Sequence, residues 1–136
     1  MQNKRAYATR AFAAYFAREA AGRPRSMQDT AQQLRDYIAA HFSDPQLSIS
    51  VLCDVFHISQ TQLSLVFRRD LGTTFLQYVL DMRIDRARHL LLHSDKKVYE
   101  IALETGFEDP GYFSYCFRQR CGLTPKNFRQ EAKSHE

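Results

Sequence analysis

The chain has no apolar run approaching the ~20 residues that cross a bilayer, and its N-terminus has no uninterrupted apolar segment of the secretory kind. No membrane partner is expected, and the compartment expected is the cytoplasm. Cysteine is scarce. Cys53, Cys116 and Cys121 are an odd number without CxxC or paired-His spacing, so they read as reduced, small apolar residues and not as a disulfide framework or zinc site. There is no Gly-rich phosphate loop, nucleophile elbow or HExxH. His89 and His93 stand i, i+4, a spacing compatible with a metal, but they read as ordinary surface or core residues. No enzyme, cofactor or metal is expected. An excess of positive charge is also missing from most of the chain. Residues 29–136 carry 13 basic and 14 acidic groups, net −1, while residues 1–28 carry six basic residues against Glu19, net +5. Bulk charge therefore gives no argument for nucleic-acid binding by the main body, and any such footprint must come from local placement of Arg and Lys.

What is present is globular. At 136 residues, 44% hydrophobic and 25% charged, the chain suits one domain or two very small lobes with a modest core. Its most informative stretch runs from Val98 to Arg129. Ile101 and Ala102 face inward on a short helix, and Gly106 supplies a turn where positive φ has no steric cost. Phe107 plugs the corner. Asp109 caps a longer helix with Pro110 in its first turn, and Phe113 and Phe117, i and i+4, bury one face of it. This spacing predicts a helix-turn-helix unit whose second helix suits the DNA major groove.

The same pattern occurs earlier. SLVFRRDLGTT (64–74) aligns with SYCFRQRCGLT (114–124) at an offset of 50, and the preceding helices align at 49, so the second turn is one residue longer. Ser48 caps a helix to Phe56, His57 and Ile58 turn the chain, and Ser59 caps a helix over about 60–70 with Leu63, Val66 and Phe67 inward and Gly72 closing it. A helix over 30–42 precedes this unit. Between the units a long helix is expected over about 74–93, with Phe75, Tyr78, Val79, Met82, Ile84, Ala87, Leu90 and Leu91 as its apolar set. About 20 residues give roughly 30 Å of helix, close to the ~34 Å repeat of B-DNA. A short helix follows Thr124-Pro125, and residues 133–136 read as tail. Residues 1–28 read as a basic, Ala-rich arm or linker with a helix over 1–21. The fold expected is all-α, two helix-turn-helix subdomains at about 48–70 and 98–120 joined by a long linker helix.

Ile101, Ala102, Gly106, Phe107, Asp109, Tyr112, Phe113, Phe117, Arg118, Gly122, Thr124, Pro125, Phe128 and Arg129 together match, at fixed spacing, the second motif of the AraC/XylS transcriptional regulators. The segment from Arg83 to Leu91 is similar to that family's linker helix. The resemblance covers about residues 30–132. It implies a DNA-binding regulator of promoter or operator DNA, more often an activator working through RNA polymerase than a repressor. It also implies a module that binds as a monomer, with a dimer where an upstream domain exists. Residues 1–28 are too few for the sensor domain that many relatives carry.

The residues expected to meet base edges are Gln60, Thr61, Gln62, Ser64 and Leu65 in the first unit and Gly111, Tyr112, Ser114 and Tyr115 in the second, with Pro110 beside them. The resemblance places first-unit contacts mainly at Thr61, Ser64 and Leu65, and many relatives carry Arg where Leu65 and Tyr115 stand. Tyr112 is also read as an aromatic supporting the turn. Phosphate contacts are expected from Arg68, Arg69, Lys97, Arg118, Arg120 and Lys126, with Arg129 and Lys96 as further candidates. Arg83 and Asp85 read as structural ion-pairing residues. The rival reading is a protein-interaction module that keeps the fold with weak or non-specific DNA binding. It draws on the near-neutral main body and the two missing arginines.

Overall fold

The computed structural model describes residues 27–135, so the helix expected over 1–21 lies outside the described residues. Seven helices follow one another: α1 Met27–His41, α2 Ile49–Phe56, α3 Gln60–Val66, α4 Phe75–His93, α5 Val98–Glu104, α6 Pro110–Cys121 and α7 Pro125–Ser134. The described residues are all helix and connecting turn. None of these helices is long and apolar enough to cross a membrane. Residues 27–41 and 46–76 form one compact unit, and residues 42–45 with 77–135 form the other.

In the first unit the inward faces of α1 (Ala31, Leu34, Ile38), α2 (Val51, Leu52, Val55, Phe56) and α3 (Leu63, Val66) close one core with Phe67. Local chemistry sets each helix end. The Ser48 hydroxyl accepts from the Val51 N–H at 3.2 Å. α2 ends where His57 takes a left-handed conformation, φ 54°, the only non-glycine residue with positive φ among the described residues. Helix α1 begins three residues before the expected Thr30 and ends one before Phe42. The helix expected over 60–70 changes form partway. After Val66 the chain widens into a single π turn, Phe67–Leu71, in which the Phe67 carbonyl accepts from Gly72 and, at 3.3 Å, from Thr73. The wider turn keeps Phe67 buried edge-on against Phe75, 5.9 Å between centroids, and brings the Asp70 carbonyl to 3.1 Å from Nη2 of Arg35.

The second unit is built around α4, α5 and α6, whose buried residues Leu80, Ile84, Ala87, Leu90, Leu91, Ile101, Ala102, Phe107, Phe113, Cys116 and Phe117 form a continuous cluster, with Phe128 packed against it. Of the apolar set expected on α4, Val79, Ile84, Ala87, Leu90 and Leu91 are buried, whereas Phe75, Tyr78 and Met82 are half-buried. Leu80 takes a core place that the periodic reading left out. Three aromatic contacts form a chain along α6: Phe107 to Phe113 (5.1 Å), Phe113 to Phe117 (5.9 Å) and Phe117 to Phe128 (5.3 Å). The turn before α6 demands glycine. Gly106 has φ +102°, and a Cβ there would stand 2.8 Å from Nε of Arg83 and 2.9 Å from the Phe42 carbonyl. Helix α7, whose start the Thr124 hydroxyl caps by accepting from Asn127 at 3.2 Å, extends to Ser134, past the point at which the tail was expected to begin.

Candidate nucleic-acid interface

Each unit presents one helix in the second position of its helix-turn-helix: α3 with its π extension in the first, α6 in the second. Both start on a polar cap. The Ser59 hydroxyl accepts from the Gln62 N–H at 3.1 Å while Oε1 of Gln62 accepts from the Ser59 N–H at 3.1 Å, a reciprocal capping box. Oδ1 of Asp109 accepts from the Gly111 N–H at 2.9 Å, and Pro110 sits where no N–H is needed. Capped first turns hold the exposed residues just beyond them in a defined register.

On α3 the exposed face carries Gln60, Thr61, Gln62, Ser64 and Leu65, all five expected at bases. The structure divides them by availability. Gln62 commits one lone pair of its carbonyl oxygen to the cap, which fixes how its amide is turned toward any base it meets. Leu65 is a large apolar side chain left 44% exposed. On α6, Gly111, Tyr112 and Tyr115 are exposed and Ser114 is half-buried. The ring of Tyr112 leans on Phe107, 6.1 Å between centroids, as a support of the turn does. A side-chain hydrogen bond with Cys116 pushes its phenol pKa up, and burial adds to the shift. Tyr115 is 61% exposed.

The cations expected at phosphates separate more sharply. Arg68 and Arg118, fifty residues apart and each directly after a buried phenylalanine, are both exposed, and among the described residues no hydrogen bond or ion pair engages either guanidinium. Arg69, Lys97 and Lys126 are exposed as well. Arg120 is different. Its Nε donates to Oδ1 of Asp81 at 2.7 Å, and Nη2 donates to Oε1 of Gln77, so its side chain, 19% exposed, braces α6 against α4. An arginine held by a carboxylate on the neighbouring helix is a structural tie, and Asp81 competes for Arg120 with the phosphate expected there. Arg129 donates to the carbonyls of Leu91 (3.0 Å), Lys96 (2.7 Å) and Ser94 (3.1 Å), closing the open end of α4, and Lys96 is paired with Glu104 at 2.5 Å.

Arg83 and Asp85 also have separate jobs. Arg83 donates to the carbonyls of Phe42 (2.8 Å) and Asp44 (3.1 Å), and burial pushes its pKa down from the usual arginine value. Asp85 pairs with Arg88 one turn along the same helix. The polar contacts of Arg120, Arg129 and Arg83 were missed by sequence reading because each partner lies 33 to 43 residues away. The three cysteines are free thiols, and burial pushes those of Cys53 and Cys121 up, away from the reactive thiolate. The rings of His89 and His93 lie 4.5 Å apart, but among the described residues no group of three metal-ligating side chains assembles.

Comparison with known proteins agrees with this fold. The family model described as "Helix-turn-helix domain" matches residues 52–131. The transcriptional activator RhaR of Cronobacter sakazakii is 38% identical over 88 residues, 65% of this chain and 31% of that protein. The chain spans about a third of the length of the curated relatives it matches. Among solved structures, the C-terminal domain of the two-component response regulator yesN from Fusobacterium nucleatum aligns at 35% identity and TM-score 0.72, covering 74% of this chain and 98% of that one. A transcriptional regulator from Chromobacterium violaceum, described as containing an AraC-type DNA-binding domain, aligns at 29% identity and TM-score 0.61, covering 70% and 87%.

Proposed function

Because the chain belongs to the AraC/XylS family of transcription regulators, as a DNA-binding domain of that family, we propose that it reads a promoter or operator sequence in double-stranded DNA with both of its reading helices, α3 and α6, in successive major-groove segments. The observation that carries this is the repetition. Two capped helices each present an exposed face and then, at the same repeat position, an arginine with no partner among the described residues (Arg68, Arg118). Such arginines suit phosphate contact, which fixes register, while the residues before them suit the bases. Thr61, Ser64 and Leu65 are assigned to base edges on α3, and Ser114 and Tyr115 on α6. Lys97 and Lys126 are assigned to the backbone with the two arginines. The 19 residues of α4 give roughly 28 Å of helix, near the ~34 Å that separates successive major-groove segments on one face of B-DNA. The assignment extends to activation through RNA polymerase, since the related RhaR proteins are transcriptional activators, and to binding as a monomer.

Selection of duplexes from a random pool by the purified chain, at near-physiological salt, tests this. The expected product is an asymmetric site with two short elements about one helical turn apart. A pool that emerges without any enriched sequence overturns it. In that case the protein-interaction reading takes over, which the near-neutral charge of residues 29–136 and the exposed Leu65 and Tyr115 favour.

A further inference from the structure

Exposed polar residues on a reading helix need no explanation, but two exposed, large apolar residues at the same place in two repeats do. Leu65 and Tyr115 are exactly one repeat, fifty residues, apart, and they are 44% and 61% exposed. Each is flanked by core residues, Leu63 and Val66 on one helix and Phe113 and Cys116 on the other. Each therefore points away from its own core for a reason of helical geometry that no local substitution of neighbours would alter. Each also stands one turn after the first helical turn (Thr61 to Leu65, Gly111 to Tyr115) and three residues before an arginine (Arg68, Arg118) that has no partner among the described residues. A phosphate contact at the arginine would set that position against the floor of the groove.

The groove floor offers one prominent apolar group, the C5-methyl of thymine, and only A·T pairs present it. Neither residue can pair in two-atom fashion with guanine, and Oε1 of the neighbouring Gln62 already accepts from the Ser59 N–H while the Tyr112 ring leans on Phe107. We infer that Leu65 and Tyr115 are specificity-determining residues that each read a thymine methyl, so that both elements of the operator are fixed by a T at the position each one faces. This rests on the DNA-reading function proposed above and deepens it by naming the chemical group recognised. Gly111, without a side chain one turn before Tyr115, leaves the tyrosine ring clear access to that methyl. In the first unit Thr61 occupies the corresponding place, so the two elements differ in the neighbouring base while sharing the T.

The test replaces each thymine of a selected duplex, one at a time, by deoxyuridine, which removes the methyl and nothing else. Binding is measured for the unaltered chain and for Leu65→Ala and Tyr115→Ala. Burial of one methyl corresponds to about three- to fivefold in affinity. The expected result is one thymine in each element whose replacement weakens binding by about that factor. The first sensitivity should vanish in Leu65→Ala and the second in Tyr115→Ala. Leu65→Arg should move the preferred base at its position from T to G. An enriched site indifferent to every deoxyuridine, or sensitivities that survive both alanine variants, overturns the inference while leaving the DNA-reading function standing. A pool with no enriched site overturns both, and Leu65 and Tyr115 then belong to a protein-binding face.

Discussion

The two helix-turn-helix units share a plan and differ in how they hold it. The first turns on His57, a residue with a side chain in a left-handed conformation, φ 54°. The second turns on Gly106, wedged between the Arg83 guanidinium and the Phe42 carbonyl. The first reading helix ends in a π turn tied to α1 by Arg35, and the second stays α-helical to Cys121 and is tied to α4 by Arg120. The same reading position is therefore reached by two separate solutions. Arg83, Gly106 and Phe107 form one packed corner in the second unit, with the guanidinium carbon 5.8 Å from the Phe107 ring centroid. The lesson is that the repeat specifies the reading helix, while the scaffold beneath it is free to diverge.

The largest test of that statement is the core. Phe67 and Phe117 occupy equivalent buried places, and replacing either by Ala should cost about 3–5 kcal/mol in denaturant melts. A near-neutral Phe117→Ala would break the equivalence. The turns should then diverge. Gly106→Ala combines a disallowed φ with two contacts under 3 Å and should destabilise by about 1–3 kcal/mol at least. His57→Gly, by contrast, should change stability by less than about 1 kcal/mol. Equal responses at the two turns would remove the distinction.

The cations sharpen the comparison further. Arg120→Ala should cost about 1 kcal/mol or less, because Asp81 is 60% exposed and water screens the pair. It should leave the salt dependence of DNA binding unchanged. Arg68→Ala and Arg118→Ala should do the reverse, each lowering the slope of log affinity against log salt by about one while leaving melts within about 0.5 kcal/mol. If Arg120→Ala shallows the slope and Arg118→Ala does not, the roles given to them are exchanged.

What was legible in the sequence was what local chemistry decides. Ser48, Ser59, Asp109 and Thr124 are caps by residue type and position, and each accepts the backbone hydrogen bond expected of it. Gly106 was legible as a turn because few residues tolerate positive φ, and the inward faces of α5 and α6 followed from spacing. What depended on distant partners was not legible. Nothing near Arg120 in sequence announces Asp81, and nothing near Arg129 announces the end of α4. The π turn at Phe67–Leu71 arises from tertiary packing, since SLVFRRDLG reads as plain helix. Gln62 shows a different blind spot, because it was read for base edges alone, and its oxygen also accepts from the Ser59 N–H.

The most direct test of two units reading one duplex is a methylation-interference footprint on a selected site, which reports close approach to guanine N7 in the major groove. Two short windows of interference are expected about one helical turn apart on one face of the duplex. The window attributed to α6 should be lost in Gly106→Ala and the one attributed to α3 retained. A single window in the unaltered chain, or two windows that survive Gly106→Ala unchanged, would contradict it.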